Sequence, residues 1–258
     1  MGSLVGQCQL CLQMRKLCYS HIIPEFCYAA TYRGPHGQAA KVAFSPTGVG
    51  HTSKVQQGDR EYLLCRTCEG IVNRYETTFN EQWYGATGLP EHVTGKWVSV
   101  SEIDSRAFRL FHLSILFRAS VAKRCFTYVS LGKHYEEALR CFVREGVAPP
   151  DSHYPLCGFV LVDNGGRVMH EIVFGAVPKI DRANRTRAYV FAYAGCEWWF
   201  IVTDHPTPAE IKISTLLSPH GIRLGVKRFH ESETRDRFLK QVRVSIRNEP
   251  DQWKGLKC

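Results

Sequence analysis

The chain has 258 residues, of which 44% are hydrophobic and 22% charged, values that place it among globular proteins and exclude collagen-like and low-complexity classes. Lys and Arg number 33 against 24 Asp and Glu, and the resulting net charge of +9 raises the prior for polyanionic partners. The excess is uneven: residues 1–100 carry 9 basic and 7 acidic side chains, and the remainder 24 and 17.

In chain order, the first hundred residues are marked by cysteine and glycine. The stretch from Arg33 to Gly58 has five glycines, two prolines and little periodicity, and reads as a long excursion. A helix is predicted from near Cys68 toward Phe79, because Ile71, Val72, Tyr75 and Phe79 follow a 3.6-residue period. Ser105–Val129 reads as the strongest helix, apolar on more than one face and therefore core or an interface. Leu131-Gly132 ends it, a second helix is expected over His134–Arg144, and Val147-Ala148-Pro149-Pro150 is the clearest linker.

Beyond the linker the pattern turns to strands. Leu156–Asp163 and Arg167–Phe174 are expected to pair around Asn164-Gly165-Gly166, and Ala188–Ala194 with Glu197–Thr203 around Gly195-Cys196. The run Glu197-Trp198-Trp199-Phe200 reads as strand core. A terminal helix is expected over Glu231–Ile246, with Phe238, Val242 and Ile246 on one face. The fold class is thus α+β, with an N-terminal metal module, a helical middle, and a small antiparallel sheet carrying a terminal helix. The corresponding boundaries are 1–100, 101–148 and 151–258.

No apolar run approaches the roughly 20 residues needed to span a bilayer, and Met1–Gly6 lacks the charged start and long apolar core of a signal peptide. A soluble cytoplasmic protein without a membrane partner is expected. In such a compartment, clustered cysteines read as metal ligands before disulfides. Of the eleven, Cys18, Cys27, Cys125, Cys141, Cys157 and Cys196 lie in apolar surroundings and are expected as buried thiols.

Cys8-x2-Cys11 and Cys65-x2-Cys68 are two CxxC knuckles separated by 53 residues. Each knuckle presents two thiolates from one tight loop, and two knuckles complete the tetrahedral set that structural zinc prefers. Between them stands Ser20-His21-Ile22-Ile23-Pro24, and the second knuckle reads Leu63-Leu64-Cys65-Arg66-Thr67-Cys68-Glu69 before a helix.

Over about residues 5–80 this arrangement resembles the HNH (His-Me finger) nucleases, whose zinc-stabilised treble clef carries an acidic-His-Ile-x-Pro strand and a Leu-Cys-x-x-Cys-His helix start. The resemblance implies a ββα-metal finger in which His21 is the general base that activates water against a phosphodiester. It implies a catalytic divalent ion, Mg²⁺ or Mn²⁺, held near Glu69. Glu69, Asn73 and Glu76, at i, i+4 and i+7, would line one helix face with oxygen donors suited to such an ion. A bacterial phage-defence setting is implied in the same way. Ser20 replaces the usual acidic neighbour of the histidine, Glu69 replaces the helix histidine, and Asp59 falls where an asparagine is usual. Two readings follow: an HNH-like endonuclease hydrolysing DNA, or RNA, or a non-catalytic zinc module that binds nucleic acid or protein.

Two basic segments could grip phosphates: Lys179–Arg187, with four basic residues and one Asp, and Arg223–Arg247, with eight basic and three acidic. The candidates are Arg182, Arg185, Arg187, Arg237, Lys240 and Arg243. A second copy of the chain or a protein partner is the other expected association.

Overall fold

The structure is a computed structural model, and it describes residues 4–32, 58–85, 88–150, 154–181, 186–202, 215–218 and 221–240. At the N-terminus β1 (Val5–Gln7), β2 (Met14–His21) and β3 (Arg60–Cys65) form an antiparallel sheet in that order. After β2 a 3-10 turn (Glu25–Tyr28) runs into α1 (Ala29–Tyr32). β3 passes directly into α2 (Arg66–Trp83), whose buried residues Cys68, Val72, Tyr75, Phe79 and Trp83 extend the period expected from the sequence.

The second sheet has seven strands: β4 (Trp97–Ser101), β5 (Leu156–Val162), β6 (Phe174–Asp181), β7 (Thr186–Tyr193), β8 (Cys196–Val202), β9 (Thr215–Ser218) and β10 (Gly221–Arg228). Its order is β4-β10-β5-β8-β7-β6, with β9 also paired to β10. The β7–β8 hairpin matches expectation. The rest of the sheet corrects it in three respects. The sheet is mixed, because β10 and β5 run parallel. It recruits β4 from the first hundred residues. Finally, 167–174 forms no strand beside β5; only isolated bridges, Val162 to Val168 and His92 to Arg167, remain there. Asp163 closes the expected turn by accepting from the Gly165 and Arg167 main chain, but the edges of β5 are taken by β8 and β10.

Between the sheets lie α2, α3 (Ser105–Val121) and α4 (Lys133–Glu145). Asp104 caps α3 by accepting from the Ala107 N–H at 2.9 Å. The expected helix to Val129 stops eight residues early for a visible reason. The Glu61 carboxylate accepts from the main-chain N–H groups of Lys123, Arg124 and Cys125, drawing them out of the helical path. α3 is buried almost throughout, as expected of core. Its Phe111 stacks on Phe79 of α2 with centroids 3.8 Å apart, while Trp83 Nε1 donates to the Ala194 carbonyl in the β7–β8 turn. One hydrophobic core therefore runs from Cys8 to Leu224 and draws on all three expected segments. Of the six expected buried thiols, Cys27, Cys125, Cys157 and Cys196 are buried; Cys18 and Cys141, on a strand and helix with one open side, are half-buried. Helical backbone covers 235–240 of the expected terminal helix; Val242 and Ile246 lie outside the described residues. Among the described residues no helix is long and apolar enough to cross a membrane.

At the centre of this core, His112 is fully buried among Phe108, Trp198 and Tyr193, with Nδ1 2.5 Å from the Tyr193 hydroxyl. Burial holds its pKa well below the ordinary value. In the unfolded chain the same imidazole takes a proton below about pH 6.5, so the unfolded state binds more protons and stability falls as pH falls through that value. Denaturant unfolding of the wild type should lose about 1.4 kcal/mol per pH unit from this group between roughly pH 6.5 and 5. His112→Gln should show a slope shallower by that amount; equal slopes in the two proteins would refute the assignment.

Candidate metal centre and the His21 site

Cys8 and Cys11 sit in the turn between β1 and β2, which is closed by Cys8 N–H to Gln13 O at 2.9 Å and Leu12 N–H to Cys8 O at 2.8 Å. Cys65 ends β3 and Cys68 lies in the first turn of α2. The Gln9 N–H donates to Leu63 O and the Cys65 N–H to Cys8 Sγ, so the two knuckles are held face to face. All four sulfurs lie within 4.8 Å of one another, with Cys11 and Cys65 Sγ 3.9 Å apart. Tetrahedral zinc with Zn–S bonds of about 2.3 Å requires sulfurs roughly 3.8 Å apart, so the cluster fits a metal ion such as zinc. Burial pushes the Cys8 and Cys68 thiols up. Arg140 of α4 donates to the Leu10 carbonyl at 2.9 Å and ties the first knuckle to the helical layer.

The cluster sits at the roots of β2 and α2, and the candidate residues lie farther along both. Cross-strand register pairs Ser20 with Glu61 and His21 with Arg60. Because side chains alternate across a strand, the two pairs face opposite ways. Ser20 and Glu61 point inward and are 2% and 7% exposed. The Ser20 hydroxyl donates to the Glu69 carboxylate, and Glu61 holds the end of α3. Burial raises the Glu69 carboxyl above its ordinary pKa, against the opposing Ser20 hydrogen bond and Arg118 charge.

His21 and Arg60 lie on the other side. Arg60 Nε donates to His21 Nε2 at 2.7 Å, and the Glu25 carboxylate lies 3.9 Å from His21 and 3.5 Å from Arg60. A guanidinium can only donate, so Nε2 accepts this hydrogen bond.

Arg118 of α3 joins the two sides from within. Its Nη1 donates to the His21 main-chain carbonyl at 2.8 Å and pairs with Glu76 Oε1 at 2.8 Å; its Nε and Nη2 reach the Ser114 carbonyl and hydroxyl. The helix face read as three oxygen ligands is thus divided. Glu69 meets Ser20, Glu76 is neutralised by a buried guanidinium, and Asn73 is exposed. Asp59 is hydrogen-bonded to the Cys125 thiol, whose pKa is pushed up to about 12 chiefly by burial.

Sequence reading passed over Arg60 and Arg118. The signal for Arg118 was a cation inside an otherwise apolar helix, Phe117-Arg118-Ala119, where only a buried partner makes such a residue tolerable.

Of the basic candidates, Arg187 donates to the Ser130 carbonyl at 2.6 Å and Arg237 lies over the Tyr128 ring at 5.6 Å, so the two meet on one segment. Lys240 is exposed. Arg182, Arg185 and Arg243 lie outside the described residues. Trp198 is fully buried, as expected of strand core.

No protein-family model matches the chain, and neither the curated proteins nor the solved structures contain a match to it.

Proposed function

We propose that the chain is a metal-dependent HNH-like endonuclease that hydrolyses phosphodiester bonds in DNA or RNA, built on a zinc treble clef. The observation that carries this reading is His21, its side chain 19% exposed, whose Nε2 accepts from Arg60 at the end of a strand rooted in the four-cysteine cluster. His21 takes the proton of the attacking water. Arg60, already aimed at the same place, turns its charge to the phosphate and frees the imidazole lone pair as it does so.

The oxygen donors this reading leaves for a hard cation are the half-buried Glu69 carboxylate and the Ser20 hydroxyl, which lie on the inward side of β2, opposite His21. An Mg²⁺ or Mn²⁺ ion held by these residues would supply positive charge to offset the negative charge that develops during phosphodiester hydrolysis. Asn73 and Glu76 are not needed as ligands in this reading.

The experiment is cleavage of supercoiled plasmid and labelled single strands with Mg²⁺ or Mn²⁺, comparing wild type with His21→Ala and Glu69→Ala after metal analysis shows each variant folded. Loss of a general base is worth about 10²–10⁴-fold in rate, and at least that loss is expected for His21→Ala. Variants that cut as fast as wild type would refute the assignment.

A second reading is favoured by the Arg118–Glu76 pair, which sets a fixed cation against the carboxylate face. In that reading the chain is a non-catalytic zinc module, and the wild type binds nucleic acid or a protein without cutting.

A further inference from the structure

The outward face of β2 and β3 carries more than His21 and Arg60. One step back along both strands, in direct cross-strand register, stand Tyr19 and Tyr62, their ring centroids 5.0 Å apart and tilted by 44°. Tyr19 is 46% exposed, an unusual position for a large aromatic side chain, and Tyr62 is half-buried beneath it. The Glu25 carboxylate lies against the His21–Arg60 pair.

We propose that Tyr19 and Tyr62 form a stacking platform for a nucleobase next to the scissile phosphate, and hence that the substrate is a single strand or an unpaired segment of nucleic acid. The inference rests on the nuclease reading for its partner and adds the form that the partner takes. Two residues along a strand span about 6.8 Å, on the scale of one nucleotide of an extended chain. A base laid on the tyrosines therefore brings its own phosphate to His21 and Arg60. Stacking needs an open π-face, which every base offers and a duplex denies, since its bases already stack on one another. The Arg60 cation on this face matches the phosphate backbone and gives no sequence preference. Stacking on an aromatic pair likewise tolerates any base, so specificity is for strandedness.

The test is fluorescence anisotropy without added divalent ion, using a labelled 16-residue single strand, the same sequence as duplex, and an abasic strand of equal length. Wild type should prefer the single strand to both competitors by at least tenfold. Tyr19→Ala should weaken single-strand binding roughly ten- to a hundredfold, toward the abasic value, and Tyr19→Trp should retain it. Tyr62→Ala should act in the same direction; because Tyr62 is partly packed on the core, the exposed Tyr19 is decisive if that variant fails to fold. Equal binding of all three probes, no binding of any, or an unaffected Tyr19→Ala overturns the platform. The cleavage assay run in parallel separates the two failures. His21-dependent cutting that ignores Tyr19 sinks the platform alone, whereas Tyr19-dependent binding by a wild type that never cuts sinks the nuclease reading alone.

Discussion

The purified chain is expected to carry one zinc ion, and Cys65→Ser is expected to lose both the ion and the folded N-terminal sheet. The β1–β3 sheet is small, and its middle is organised around the cluster. The turn bearing Cys8 and Cys11 contacts β3 through Gln9 to Leu63 and through Cys65 N–H to Cys8 Sγ. Structural zinc contributes about 10–16 kcal/mol of apparent binding free energy in small zinc units, comparable with the whole stability of a domain, typically about 5–15 kcal/mol. Loss of one thiolate is therefore not absorbed locally. Since Ser20, His21 and Glu69 lie on β2 and α2, any activity should disappear with the metal. Cys141→Ser, on α4 and outside the cluster, should unfold close to wild type. Metal analysis with thermal unfolding decides the matter: a metal-free chain of full stability, or a Cys65→Ser variant that melts with wild type, would rule out a structural ion.

Arg118→Met should destabilise the protein by about 3–5 kcal/mol, the cost of removing one partner from a buried ion pair. The Arg118 and Glu76 side chains are 2% and 18% exposed, so solvent screens the pair little. The substitution leaves the Glu76 carboxylate without its counter-charge and the His21 carbonyl without its Arg118 donor. Glu76→Gln keeps a polar partner for the guanidinium and should cost less. The pair Arg118→Met and Glu76→Leu removes both charges, and much of the single-variant loss should return, because an apolar pair avoids the desolvation that an isolated charge suffers. Urea unfolding of the three variants measures this directly. A loss below about 1 kcal/mol for Arg118→Met would mean that the ion pair does not hold the strand to the helices in solution.

Much of the local structure was legible because it is encoded by short-range rules. The period of Val72, Tyr75 and Phe79 located α2, Gly132 marked the start of α4, and Gly195-Cys196 marked the β7–β8 hairpin. The CxxC spacing brought out four cysteines that the fold does gather.

What only the tertiary structure decided was pairing over long separations. β4 alternates as Trp97-Val98-Ser99-Val100-Ser101, yet its partner β10 lies more than a hundred residues away, and nothing local selects it. The end of α3 was set by Glu61, a carboxylate on another strand, against a helical pattern that continued to Val129. The candidate site divided for a similar reason. Helical spacing placed Glu69 and Glu76 on one face, but the pleat of β2 turned Ser20 and His21 to opposite sides, and Arg118, from a helix forty residues on, took Glu76. Spacing within an element follows from covalent geometry and can be read directly; which charge meets which across elements depends on packing and desolvation, which arise only when the chain is closed on itself.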